Sequence, residues 1–308
     1  MIIVVSPVNL CIYKTEYRSE TLNFLNKIDT LVILKKKKIV VDLRMVQYAT
    51  AAASLLFFAI VNRAQLFVQD SSAIRFLFPK KKDNELGHRY IIRTALSKAL
   101  LANTFDKITD LAKEDVYFQS GVDPDKHLFS TLQMLDKIAN LSVEQLSLLS
   151  MGIGEAMLNV SHHAYESAGD VSFSLHLNYL GGRRWWQCSW FNPEKDNAVF
   201  IICDLGLGIA KSYNSLRDDN RAEDETATIK EALSSGKSKF IGLGRGNGSE
   251  DIKRPVGKGC TQNETLLVFS GNSQYYYTSE TKDPVCYHLN EFIPGTLVQW
   301  SLVTRRTE

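Results

Sequence analysis

The feature that most constrains this chain is the alternation of strand-like and helix-like segments near its start. IIVV at 2–5, YRSETLNFLNKID at 17–29, KKIVVDLRMV at 37–46, an alanine-rich apolar run to about Arg63 and AIRFLFP at 73–79 follow in quick succession. Such switching between the two periodicities specifies an α/β unit. Ile39, Val40 and Val41 read as a buried strand, because β-branched side chains suit a pleated surface covered on both faces. The small residues Ala49, Ala51, Ala52 and Ala53 let the next helix start close against the sheet. The lysines Lys35 to Lys38 read as a solvated turn before the strand rather than a phosphate patch, since like-charge runs are usually solvated. A further helix over about 84–103, containing GHRYIIRTALSKALLAN, is expected to complete the unit.

FDKITDLAKEDVYFQSGVDPDK at 105–126 is polar and broken by Gly121 and Pro124, which places a domain junction there. The division expected is a first domain over 1–108, a linker over 109–126 and a second domain over 127–308; 308 residues suffice for two cores. The second domain is expected to open with a pair of helices, about 127–140 and 142–165, the latter started by Ser142 and Gln145 at capping-box spacing. DVSFSLHLNYL, a GGRR turn and WWQCSWF suggest a hairpin, with Gly181 and Gly182 supplying positive φ. AVFIICD reads as a buried strand ending on Asp204, and TLLVFS, QYYYTS and TLVQWSLV as further strands. This is an α+β sandwich, helices on one face of a mixed sheet. Trp185, Trp186, Trp190 and Trp300 fall on strand patterns and are expected in its core rather than as base-stacking platforms.

With 44% hydrophobic and 23% charged residues the composition is that of a globular protein, and a formal net charge of +2 implies no bulk polyanionic partner. Nucleic acid is therefore not implied. Cys11, Cys188, Cys203, Cys260 and Cys286 form no CxxC pair and no metal-spaced cluster, so reduced thiols are expected. The apolar start lacks the basic residues of a signal peptide, and ATAAASLLFFAIV at 49–61 has only 13 residues before Asn62 and Arg63. A cytoplasmic protein with no membrane partner is the expectation.

Chemistry concentrates in four segments. GIGEAMLNVSHHAY at 152–165 sets Glu155, Asn159 and His163 four residues apart, about 40° beyond a full helical turn at each step, so they form a drifting polar stripe. Met157, Leu158, Val160 and Ala164 surround it with apolar area, as on a helix whose edge looks into a cavity. CDLGLGIA puts Asp204 at a strand end before Gly206 and Gly208, where backbone can turn tightly and approach a ligand. GLGRGNGSEDI supplies Gly242, Gly244, Gly246 and Gly248 ahead of a helix, a pattern able to face an anion. Gly295 and Thr296 precede the closing strand. A Rossmann or Walker loop fits poorly: no strand feeds GLGRGNG directly, and no GK[ST] stands at P-loop spacing.

Taken in order, these four boxes resemble the GHKL ATP-binding superfamily of gyrase and the histidine kinases, with its Bergerat fold, and most of all the anti-sigma serine kinases. The resemblance covers about residues 127–308. It implies ATP and Mg²⁺ as cofactors, with Asp204 accepting the adenine amino group and Asn159 as the metal ligand. Both fit the side chains, since a carboxylate only accepts and a carboxamide oxygen is a hard neutral ligand. It further implies Glu155 as general base, Gly206 and Gly208 in the adenine box, and Gly242, Gly244 and Gly246 at the lid hinge and phosphates. Thr296 would support the adenine end, Lys237 and Lys239 are candidates to reach phosphate, and His163 would support the helix. More weakly, the first half resembles a STAS domain through VVDLRMVQYATAAASLL. Where that family carries a phosphorylatable serine, this chain has Ala49, Thr50, Ala51, Ala52, Ala53 and a late Ser54, which implies a docking or sensing unit rather than a substrate, unless Thr50 or Ser54 replaces the serine.

Two functions follow as expectations. One is ATP hydrolysis or phosphorylation of a protein serine or threonine; the other is a nucleotide-controlled partner-switching module with little turnover. Each implies a protein partner or substrate, and a homodimer is compatible with both. A histidine kinase is disfavoured, because no phosphoacceptor helix precedes Glu155.

Overall fold

The structure is a computed structural model of the chain. It describes residues 1–114, 116–139, 141–166, 177–192, 196–214, 224–234, 248–257, 264–280 and 283–304. The chain forms two compact units: Met1–Ser120 with Ser174–Gly182 and Trp186–Cys188, and Gly121–Phe173 with Arg183–Trp185 and Ser189–Glu308.

In the first unit, β1 (Ile2–Val5), β3 (Ile39–Asp42) and β5 (Ile74–Leu77) make a parallel sheet in the order β1-β3-β5, with Ile3 opposite Val40 and Val40 opposite Arg75. The two-residue strands β2 (Asn9–Leu10) and β4 (Tyr48–Ala49) pair separately. Helix α1 spans Thr15–Asp29 and continues as a π-helical turn, Thr30–Leu34. Helix α2, Ala51–Val68, is capped by the Thr50 hydroxyl, which accepts the Ala53 N–H, and Ala52 and Ala53 are buried as the alanine run implies. It runs through Asn62 and Arg63 for 18 residues, longer than the 13-residue apolar run suggests. By length and composition α2 could cross a bilayer, yet 78% of it is buried within the protein, as in a core helix. Asn62 tolerates that burial because its amide donates to the Ala102 carbonyl at 2.8 Å and its oxygen accepts the Trp186 indole N–H at 2.9 Å.

The helix expected over 84–103 is three pieces: α3 (Glu85–His88), a π-helical turn (Arg89–Arg93) and α4 (Leu96–Leu100). Thr94 explains the break. Its hydroxyl donates to the Tyr90 carbonyl and accepts the Leu96 N–H, while Ala95 takes φ +60°, so local side-chain bonds displace the helical ladder. The stretch read as a linker, 109–126, holds the end of α5 (Phe105–Lys113), all of β6 (Phe118–Gly121) and the start of α6 (Pro124–Ile138). Ile108, Leu111 and all four residues of β6 are buried, so its polar composition conceals an amphipathic helix and a strand.

The second unit is an α+β arrangement. Helices α6 and α7 (Val143–Asn159) come first, α7 beginning with the capping box of Ser142 and Gln145. Strands β7 (Trp185–Asn192), β8 (Asn197–Asp204), β10 (Val285–Val303) and β9 (Thr265–Thr278) follow one another in the sheet in that order, and β10 runs antiparallel to both β8 and β9. TLLVFS and QYYYTS are one strand, bent at Gly271 with φ +58°. Of the expected hairpin's first strand, Leu177–Leu180 is a helical turn and 170–176 lie outside the described residues, while Gly181 and Gly182 do take φ +70° and +127°. Three short helices, α8 (Ile209–Asn214), α9 (Glu225–Ala232) and α10 (Gly248–Gly257), complete the unit. At Gly152 of α7 the space for a side chain is filled by Pro255 of α10 and the Trp300 ring, so both helices lie on one face of β10. Trp185, Trp186 and Trp300 are fully buried.

Candidate nucleotide site

Glu155 and Asn159 lie one turn apart near the end of α7. Both are half-buried. Burial, and next the charge of Asp251 on α10, push the Glu155 carboxyl above the ordinary carboxylate range, and the neighbouring Asn159 side chain opposes them. The first residue of α10 reaches the same place. A Cβ on Gly248 would fall 2.1 Å from the Glu155 Oε1, so the start of this helix stands directly against the Glu155 side chain. A helix N-terminus therefore adjoins the Glu155–Asn159 pair.

After Asn159 the helix does not continue as α. Val160–Ala164 is a π-helical turn, whose i→i+5 bonding makes four residues less than a full turn. His163 thus drifts back toward the side of Glu155 rather than onward past Asn159. The carbonyls freed at this end all find partners. Arg183 Nη1 donates to those of Ser161 and His162, Ser212 Oγ donates to that of His163 at 3.3 Å, and Leu207 N donates to that of Ala164 at 2.7 Å.

Leu207 belongs to the loop that follows Asp204, so this capping brings the Asp204 box to the end of the Glu155–Asn159 helix. From Glu155 to Asn159 the chain is α-helical, and the π-helical turn carries it on to Ala164. Gly206 makes the docking feasible: a Cβ there would meet the Ala164 carbonyl oxygen at 2.0 Å. Gly208 turns at φ +82°, beside Ser270 and Gly295. Ser270 Oγ accepts the Ile209 N–H at 2.8 Å and donates to the Gly295 carbonyl at 3.1 Å. Gly295, at φ +68°, presses on the Asp204 carbonyl, where a Cβ would come within 2.2 Å. Gly206, Gly208 and Gly295 thus serve close backbone packing in the loop itself.

Asp204 is 4% exposed, and burial pushes its carboxyl up to about 7 against the opposing backbone N–H groups of Gly206, Thr296 and Asp204 itself. The Gly206 N–H reaches its Oδ1 at 2.7 Å. A carboxylate has about four acceptor positions, so capacity remains for a ligand N–H. Thr296 enters through its backbone, one residue beyond Gly295 where β10 regains its pairing with β9 at Ser270. Asp204, Gly206, Gly208 and Thr296 are therefore together, and the Ala164 contact ties them to Glu155 and Asn159. Gly242, Gly244, Gly246, Lys237 and Lys239 lie outside the described residues.

Sequence reading missed Tyr165, Arg183, Ser270 and Asp251. No periodicity marks a tyrosine after a helix or a serine inside a strand, and only the folded chain brings them to the loop. Among the described residues no group of three His, Cys, Asp or Glu side chains could hold a metal. A divalent ion here would have Asn159 as its protein ligand and take its other oxygens from water and ligand, as Mg²⁺ tolerates. Searches against protein-family models, curated proteins and solved structures returned no match to this chain.

Proposed function

We propose that the second unit binds Mg²⁺-ATP between the Asp204 loop and the Glu155–Asn159 helix, and hydrolyses it or passes its terminal phosphoryl group to a protein serine or threonine. The single observation that carries this reading is the Leu207 N–H bonded to the Ala164 carbonyl, which ties the loop after a buried acceptor carboxylate to the end of the helix that carries a carboxylate and a carboxamide one turn apart. The order of these boxes along the chain resembles the GHKL superfamily, and the geometry is compatible with that likeness.

In this reading Asp204 accepts the exocyclic amine of the base, and the neutral Asn159 oxygen is the one protein ligand for Mg²⁺. When bound, Mg²⁺ supplies charge neutralisation for the phosphate oxygens. Glu155 takes the proton of the attacking water or hydroxyl at its carboxylate oxygen, a role suited by a carboxyl held above its ordinary range. The start of α10 offers backbone N–H groups toward the phosphate end. The first unit, whose sequence resembles a STAS domain, serves in this reading as a docking or sensing unit.

Titration of the full chain with Mg²⁺-ATP, followed by phosphate release, tests the reading. Glu155→Gln should retain ATP affinity and lose about a hundredfold or more in turnover. No ATP binding by the wild-type chain removes the proposal, and equal turnover in the variant removes Glu155 as the base.

A further inference from the structure

We propose that Tyr165 is a positioning residue for base recognition: its hydroxyl pins the backbone that follows Asp204 to the end of the helix carrying Glu155 and Asn159. The inference rests on the nucleotide reading of this site and assigns it a new determinant of base selectivity. Tyr165 is 5% exposed. Its hydroxyl donates to the Arg184 carbonyl at 2.6 Å and accepts the Leu205 N–H at 3.3 Å, using its donor and one lone pair.

Leu205 is the residue after Asp204, and Tyr165 is the residue after Ala164. The loop is thus bound at 205 and 207 to two successive residues, 165 and 164. Beyond it, Ile209 is held from the other side by the Ser270 hydroxyl. Asp204 aims its carboxylate through the backbone of residues 204–206, since Gly206 N–H holds its Oδ1. A displacement of Leu205 therefore turns the carboxylate away from a bound base. The phosphate end does not depend on this hydroxyl, because Glu155 and Asn159 stand on α7 itself. Removing it acts on recognition of the base and leaves the pyrophosphate contacts in place.

The test compares wild-type and Tyr165→Phe full-length chains by calorimetric titration with Mg²⁺-ATP, Mg²⁺-GTP and Mg²⁺-tripolyphosphate. The expected result is an ATP affinity about tenfold weaker in the variant, a reduced preference for ATP over GTP, and an unchanged affinity for tripolyphosphate. Unchanged ATP affinity overturns the proposal. So does an equal loss for ATP and tripolyphosphate, which marks a general loss of structure. Wild-type chain that binds tripolyphosphate but shows no preference for ATP overturns the nucleotide reading as well. Should Tyr165→Phe fold poorly, amide exchange in the wild-type chain asks the same question: ATP should slow exchange at Leu205 and Leu207 together, and tripolyphosphate should slow neither. Protection of Leu207 alone overturns the role of the hydroxyl.

Discussion

The Leu207 N–H donates to the Ala164 carbonyl at 2.7 Å, and Gly206 occupies a position beside that carbonyl where a side chain cannot fit. Gly206→Ala should therefore act through packing. With a backbone oxygen 2.0 Å from the new Cβ, the loop must lift off the helix end, because neither partner is a flexible side-chain tip. A destabilisation of about 2–4 kcal/mol is expected, read by denaturant unfolding with the tryptophans as probes. An unfolding midpoint equal to wild type would mean that the loop is not docked there.

Asp204→Asn separates recognition from stability. The wild-type carboxyl resists ionisation because it is buried, so a neutral amide of the same shape relieves that cost while the Gly206 N–H keeps an acceptor. The melting temperature should hold or rise as ATP affinity falls at least tenfold, if the amide turns its NH₂ toward the base. Parallel thermal melts and ATP titrations decide it; a fall in both would make Asp204 a structural acid.

The pH dependence of stability follows from the same burial. The Asp204 carboxyl titrates near 7 in the folded chain and at the ordinary 3.8 when unfolded, so the native state holds an extra proton between those values. Stability contributed by that proton is present below 3.8 and lost as pH rises through the window to about 7. Wild type minus Asp204→Asn, followed by melting temperature from about pH 4 to 8, should show this decline. ATP binding near pH 7 should also release protons, visible as a dependence of the calorimetric heat on buffer ionisation enthalpy. A flat difference curve would contradict the assignment.

Thr50 and Ser54, which the proposed likeness to a STAS domain makes the candidate phosphoacceptors, are both buried. The Thr50 hydroxyl is engaged at 3.4 Å with the Ala53 N–H and at 3.4 Å with the Leu10 carbonyl. Neither should be modified when the full chain is incubated with Mg²⁺-ATP and examined by mass spectrometry. Thr50→Ala should cost about 1 kcal/mol through loss of the cap. A phosphate found on either residue would show that the start of α2 opens in solution.

Asn62 lies at the centre of the first unit and is fully buried. Asn62→Leu leaves the Trp186 N–H and the Ala102 carbonyl buried without their partner, at a cost of about 2–4 kcal/mol. Chemical denaturation measures it. A neutral effect would mean that water reaches both groups.

How much of this was legible beforehand depends on the range of the interaction. Strands such as Ile39–Asp42 and Asn197–Asp204, the alanine start of α2 and the Ser142–Gln145 cap are set by contacts within a few residues, and the sequence pattern reports them directly. The break at Thr94–Ala95 and the π-helical turn after Asn159 were not legible. Each depends on which hydrogen bonds win once neighbours are in place, and α-helical periodicity is silent about that competition.

By itself the sequence determined the element types, the order of the four polar boxes and the side chains able to accept, ligate or take a proton. Tertiary structure alone decided that the Asp204 loop caps the helix bearing Glu155 and Asn159, that Tyr165 joins them, and that Asp204 is buried enough to titrate near 7. The reason is physical. Loop carbonyls, amide donors and desolvation act here between residues about 40 positions apart, and no local pattern records a partner that only folding brings within reach.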